Sequence, residues 1–230
     1  MVAQLPTPNQ IEYPDSDGKP MSDNTKQFRW ITIFKYNLDW LFANDENVFI
    51  AGDLLWYPVE GNPKRRVAPD VMVVFGRPKG DRGSYKQWQE AGIAPQVVFE
   101  ILSPGNTANE MAAKLAFYDR HDVSEYYVYE PDTNALSGWE RLDDYLTEIP
   151  VMQDWTSPRL GIKFDLSTPP ELQIYRPDGE IFLTFEQVSQ QLESVTRTLS
   201  ETEQALSTAA SQNQQLAAKL RELGIDPDAI

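Results

Sequence analysis

Hydrophobic and polar positions divide the chain into a mixed core region and one long terminal helix. Phe28, Ile31, Phe34, Leu38 and Leu41 recur at spacings of three and four. That period predicts an amphipathic helix over about 24–43, with Ser22 and Asp23 offering N-caps. Strand-like runs follow at 48–51 and 54–57, separated by Gly52-Asp53, and at 67–75, near whose start lies Pro69-Asp70. A basic loop, 76–92, contains Gly76, Gly80 and Gly83 and is longer than most connections in compact domains. The stretch 95–131 then reads strand, turn, helix, strand. Val97, Val98, Phe99, Ile101 and Leu102 are apolar on both alternating faces, which predicts a central strand covered on both sides. Thr107, with Glu110 three residues on, caps the helix that follows. Shorter strands are expected at 136–142, 160–164 and 173–175, and Pro177-Asp178-Gly179 turns the last of these into 181–183. Strands with helices at each end of the core make the fold class α/β or α+β.

From Phe185 onward the pattern changes. Phe185, Leu192, Leu199, Leu206, Asn213 and Leu220 fall at the first apolar position of a heptad, and Val188, Val195, Thr202, Ala209, Leu216 and Leu223 at the second. This register predicts a parallel two-stranded coiled coil, with Asn213 fixing its alignment. Thr184 and Gln187 form a capping box, and Gly224 and Pro227 end the helix. At 1.5 Å per residue its length is roughly 55–60 Å, too long to fold back on a core of this size. The expected organisation is an N-terminal arm (1–21), a core domain (22–183), a coiled-coil helix (184–224) and a short tail (225–230). A homodimer through 185–223 follows from it.

Composition narrows the chemistry. The chain has 230 residues, no cysteine and one histidine, which excludes disulfides, a thiolate nucleophile and a multi-histidine zinc site. No apolar run is long enough to span a membrane, and the first residues lack the basic and apolar regions of a signal peptide. A cytoplasmic protein is expected. The net charge of −15 argues against a uniformly basic coat, yet residues 64–86 hold seven cations against Asp70 and Asp81. That segment is either a local phosphate-binding face or a solvated loop, and loop 76–92 is its best candidate for substrate contact.

Glu100 interrupts the buried run and needs a partner, because an unpaired charge cannot be buried cheaply. Asp70 heads the preceding strong strand. If the two strands are neighbours, both carboxylates converge, and either one takes a proton or a cation bridges them. Oxygen ligands without cysteine or histidine favour Mg²⁺ or Mn²⁺. Glu110, Lys114 and Tyr118 repeat every four residues along one face of the next helix, so Lys114 can point back toward Glu100. A metal, two acids and an ammonium make a phosphodiester-cleaving set. The plainer reading is a surface Glu110–Lys114 pair, a turn aspartate and core tyrosines. His121 is expected to gain from the helix C-terminal dipole.

Pro69-Asp70, Glu100-Ile101-Leu102-Ser103-Pro104, Glu110, Lys114, Tyr118 and Val123-Ser124-Glu125-Tyr126-Tyr127 together resemble the Uma-type family of bacterial endonucleases, in the PD-(D/E)xK restriction-endonuclease-like superfamily. The resemblance spans roughly 25–185. It implies a mixed central β-sheet flanked by helices and Mg²⁺-dependent DNA cleavage, with Asp70 and Glu100 as metal ligands. The superfamily's lysine two residues after the glutamate is replaced here by Leu102, and Lys114 stands where a helix-borne lysine substitutes for it. Gly105 and Asn106 stand where the family usually has Ser and Thr, and Glu110 where Asp is common. Asp53 is a further candidate acid, from the preceding hairpin. Two functions are therefore in play. One is a divalent-metal-dependent DNA endonuclease, and the other is an inactive nuclease-fold interaction protein assembling through its coiled coil.

Overall fold

The computed structural model describes residues 11–16, 18, 24–167, 171–224 and 226. Backbone contacts divide the chain into two compact units, Met1–Phe182 and Leu183–Ile230. In the first unit the elements are α1 (Thr25–Leu41), β1 (Val48–Gly52), β2 (Trp56–Tyr57), β3 (Val71–Phe75), β4 (Tyr85–Lys86), β5 (Val97–Ile101), α2 (Ala108–Arg120), β6 (Glu125–Glu130), β7 (Ala135–Leu142), β8 (Tyr145–Glu148), β9 (Lys163–Asp165) and β10 (Gln173–Tyr175). Six strands form one sheet in the order β1-β3-β5-β6-β7-β8. Only β5 and β6, joined by α2, are parallel; the other pairs are antiparallel. The architecture is a mixed central sheet flanked by helices.

Strand alternation sends successive side chains to opposite faces. Val97, Phe99 and Ile101 pack with Trp30, Ile31, Phe34 and Leu38 of α1 and with Phe164 and Ile174 of the β9–β10 pair. Val98 packs on the other face, with Tyr118, Met111 and Leu115 of α2 and with Trp56 and Tyr85 of the β2–β4 pair. β5 is therefore buried along its whole length, as its doubly apolar pattern predicts.

Several local expectations are corrected. Asn24, rather than Ser22 or Asp23, caps α1, its side chain accepting the Gln27 N–H at 2.9 Å; residues 22 and 23 lie outside the described residues. Phe28 is about half exposed, because Trp30 takes the buried side of α1. Gly52-Asp53 does not close a hairpin, since β1 pairs with β3 while β2 pairs with β4 in a separate two-stranded sheet. Between Val67 and Phe75 only Val71 onward is strand, with Val67 held to Trp56 by an isolated bridge. Loop 76–92 contains β4 and a 3₁₀ turn, Gln87–Gln89. Of the arm, Tyr13 packs against Tyr57 and Trp88, with ring centroids 5.3 and 5.0 Å away.

The second unit holds α3 (Phe185–Glu222), opened by the Thr184–Gln187 capping box. Its heptad positions are open: Leu192, Val195, Leu199 and Leu206 are all more than half exposed. Among the described residues no helix is long and apolar enough to cross a membrane.

Gly138 of β7 lies opposite Tyr127 of β6. A Cβ there would come within 2.7 Å of Met152 Sδ and 3.0 Å of Ile149 Cδ1 and Tyr127 Cδ1. Gly138→Ala is therefore expected to destabilise the fold by about 1–3 kcal/mol through overpacking, read as a lower urea midpoint at unchanged slope.

Candidate active site

β3 and β5 pair antiparallel, with Val71 opposite Phe99 and Met72 opposite Val98. Continuing that register by one residue sets Asp70 opposite Glu100, on the face covered by α2. Pro69 has no N–H to extend the ladder, and the Asp70 side chain takes over, its Oδ2 accepting the Ile101 N–H at 2.6 Å. The Ile101 carbonyl is bound in turn by Gln27 Nε2 at 2.9 Å. Asp53, in the left-handed region at φ 47°, donates its N–H to the carbonyls of Pro69 and Asp70 at 3.1 and 3.2 Å. Asp70 is 8% exposed and Glu100 2%.

Glu100 meets two side chains of α2. Lys114 Nζ donates to Oε2 at 2.7 Å, and the Tyr118 hydroxyl donates to Oε1 at 2.5 Å. The two donors are four residues apart and so share a helix face. The altered turn before α2 is well formed. Asn106 Oδ1 accepts the Ser103 N–H at 2.8 Å, and the Asn106 N–H returns to the Ser103 carbonyl at 3.0 Å. Thr107 caps the helix by accepting the Glu110 N–H at 3.2 Å, but the Glu110 carboxylate lies 3.5 Å from Asn106 Nδ2 instead of completing a capping box. Behind Tyr118, the Trp56 ring stacks parallel to it at 6.3 Å.

These contacts fix protonation states. Burial, followed by the charge of Glu100, pushes the Asp70 carboxyl well above its ordinary value, and the Ile101 N–H only partly opposes this. Burial works against a charged Lys114, but the adjoining Glu100 carboxylate outweighs it and the ammonium is held above its usual value. Lys114 is therefore a fixed cation at neutral pH, suited to stabilising negative charge and unsuited to accepting a proton. Tyr118 is driven well up, by burial and then by Glu100, so it stays a neutral hydrogen-bond donor.

The donor set fits a hard divalent cation. Burial and the charge of Glu100 disfavour the ionised Asp70, an effect a cation would offset, and its Oδ1 accepts no hydrogen bond from the described residues. Each Glu100 oxygen retains a lone pair beyond the bond it accepts. Among the described residues no three His, Cys, Asp or Glu side chains group as a ligand set. Asp53 braces Asp70 through its backbone N–H, and its charge adds to the rise of the Asp70 carboxyl. Two carboxylates with water and phosphate oxygens completing the shell is ordinary coordination for Mg²⁺.

Other sequence candidates fall outside the site. Arg77 and Arg82 both pair with Glu90 at 2.7 Å, and Lys79 donates to the carbonyls of Phe42 and Ala43 at 2.7 and 2.8 Å. Arg82 also lies 3.9 Å over the Phe49 ring. These contacts of Arg77, Lys79 and Arg82 fasten the loop 76–92 onto its neighbours. His121 caps the C-terminus of α2, where burial and Arg65 push its pKa down. Its place at the helix C-terminus is as expected, but burial and Arg65 oppose the positive charge that the helix dipole would favour. Tyr118 as a Glu100 partner was not deduced from the sequence, although its spacing from Lys114 carried the signal. The Ile101 amide and Gln27 left no sequence signal.

The sequence model of the Uma2 family, described as "Putative restriction endonuclease", matches residues 3–174. The chain belongs to the Uma2 family. Membership of this family supports a nuclease reading. It is also similar to a solved structure described as a putative nuclease belonging to DUF820 from Anabaena variabilis, at 15% identity and a TM-score of 0.45, over 62% of this chain and 78% of that one. No curated protein matches it.

A carboxylate whose pKa is raised on folding stabilises the fold while protonated, and that contribution is lost as pH climbs from the unfolded value of about 3.9 through the raised one. In chelator, wild-type stability is therefore expected to fall as pH rises through this window. Asp70→Asn, which keeps an acceptor for Ile101, is expected to flatten the decline and melt several degrees higher at pH 8. A variant melting below wild type there would contradict the protonation assignment.

Proposed function

We propose that this chain is a divalent-metal-dependent endonuclease that hydrolyses DNA phosphodiester bonds in the cytoplasm, with Asp70 and Glu100 holding Mg²⁺ or Mn²⁺. The observation that carries the reading is the pair of opposed, buried carboxylates with Lys114 2.7 Å from Glu100. Two carboxylates in a low-dielectric site are costly for a metal-free fold, and a bound cation relieves that cost. Bound there, the cation supplies Lewis acidity, lowering the pKa of the attacking water and neutralising charge on the phosphate. Lys114 remains protonated and stabilises the additional negative charge of the transition state. Tyr118 holds Glu100 in one orientation, and the Ile101 N–H does the same for Asp70.

The exposed heptad stripe of α3 supports a second element, a parallel coiled-coil homodimer through 185–223. Two catalytic units on one assembly suit cleavage of both strands of a duplex. A contrasting reading, an inactive interaction protein, draws on the net charge of −15 and on both Glu100 oxygens already having donors.

Supercoiled plasmid, single-stranded DNA and RNA incubated with Mg²⁺ or Mn²⁺ discriminate these readings. Nicking or linearisation of the plasmid is expected, reduced about 10²-fold or more in Asp70→Ala, Glu100→Ala and Lys114→Ala. Cation-dependent cleavage that survives Glu100→Ala would sink the assignment. Absence of any Mn²⁺ binding heat would favour the interaction protein. For assembly, the double variant Leu199→Arg, Leu206→Arg is expected to be a monomer by light scattering, and a persistent dimer would refute the coiled coil.

A further inference from the structure

Tyr126 carries an anomaly that packing does not explain. Its side chain is 1% exposed, and its hydroxyl is buried with no hydrogen-bond partner among the described residues. Buried hydroxyls are nearly always paired, and phenylalanine would fill a purely apolar position at no such cost. The residue lies on β6 opposite Val98, diagonally beside Glu100 and on the same face of the sheet. Its ring is held between Tyr118, 4.9 Å away, and Trp139, stacked at 5.2 Å. Glu100 and Asp70 both act on its phenol, reinforcing burial in keeping it protonated. Trp30, His121 and Arg176 carry the other buried side-chain atoms without a partner among the described residues.

We infer that Tyr126 is a positioning residue of the carboxylate site, its hydroxyl holding a water against Asp70 Oδ1 and so orienting the water that attacks the phosphodiester. The inference rests on the endonuclease reading. A buried water needs two or more polar partners, and Asp70 Oδ1 and the Tyr126 hydroxyl are polar atoms on this face that make no other bond among the described residues. Trp139 and Tyr118 fix the ring, so the hydroxyl keeps its place without a protein partner of its own.

The test uses the full chain with Tyr126→Phe, which deletes one oxygen. Mn²⁺ binding is measured by calorimetry, plasmid cleavage by steady-state kinetics and stability by melting in chelator, with Asp70→Asn alongside. The expected result is about 10-fold weaker Mn²⁺ binding and a kcat lower by about 10-fold or more. KM for plasmid and the melting temperature in chelator stay unchanged. Wild-type Mn²⁺ affinity and kcat in Tyr126→Phe, each within about two-fold, overturn the inference while leaving the endonuclease reading intact. If wild-type chain and Asp70→Asn alike bind no Mn²⁺, the carboxylate reading fails and the role of Tyr126 falls with it. A kcat loss accompanied by an equal loss of melting temperature also overturns it, since that pattern marks a packing role.

Discussion

Two carboxylates face each other across the β3–β5 ladder, and most of the local structure answers the problem they create. Like charges 4 Å apart repel by about 4 kcal/mol even at an effective dielectric near 20. The chain meets this with one cation, Lys114, one phenol, Tyr118, and one backbone amide, that of Ile101. Each donor depends on a different part of the fold. Lys114 and Tyr118 require α2 to cross back over β5, and the amide requires the register that ends at Pro69. What these donors leave unmet is the effect of burial and of Glu100 on Asp70, whose carboxyl stays above its ordinary value.

Burial alone does not mark such a site. Glu125, at the other end of the parallel β5–β6 pair, is just as buried, at 1% exposure. It points to the opposite face and takes only neutral donors: the Tyr127 hydroxyl at 2.9 Å, the Arg159 N–H at 2.7 Å and the Ser157 hydroxyl. Burial raises its pKa also, but the donors fasten the 157–159 segment to the start of β6. Its register partner on β7 is Glu140, another acid, whose charge adds to the effect of burial, and no cation among its donors offsets it. Glu100 differs in having a donor that is itself charged, Lys114 at 2.7 Å.

Aromatic side chains set the medium in which these charges act. Trp56 stacks on Tyr118, Tyr118 packs on Tyr126, and Tyr126 stacks on Trp139. This row lies on the same face as the buried carboxylates, and a low local dielectric strengthens the electrostatic contacts made there. The basic residues of the 76–92 loop serve a different end. Arg77 and Arg82 converge on Glu90, whose carboxyl they hold below its ordinary value against the effect of burial. A run of positive charge in the sequence has become the internal stitching of a loop.

Periodicity was enough to read the central strand, the helix after it and the long terminal helix, because each pattern persists over several turns or alternations. The pairing of Asp70 with Glu100 and the position of Lys114 were also legible, carried by an ordered set of residues characteristic of the Uma2 family. Short strands and caps were less so: β4 and β8 are too brief for a pattern, and Asn24 competes with equally good caps beside it. Contacts decided in three dimensions were not legible at all. The sequence cannot say that Arg77 and Arg82 turn inward to Glu90, that Asp53 braces Asp70 by its backbone, or that Tyr126 ends with an unpaired hydroxyl. Which residues occur, and with what period, is written along the chain. Which polar atoms finally meet depends on strand register and helix crossing, and those are settled only when the two faces of the sheet are packed.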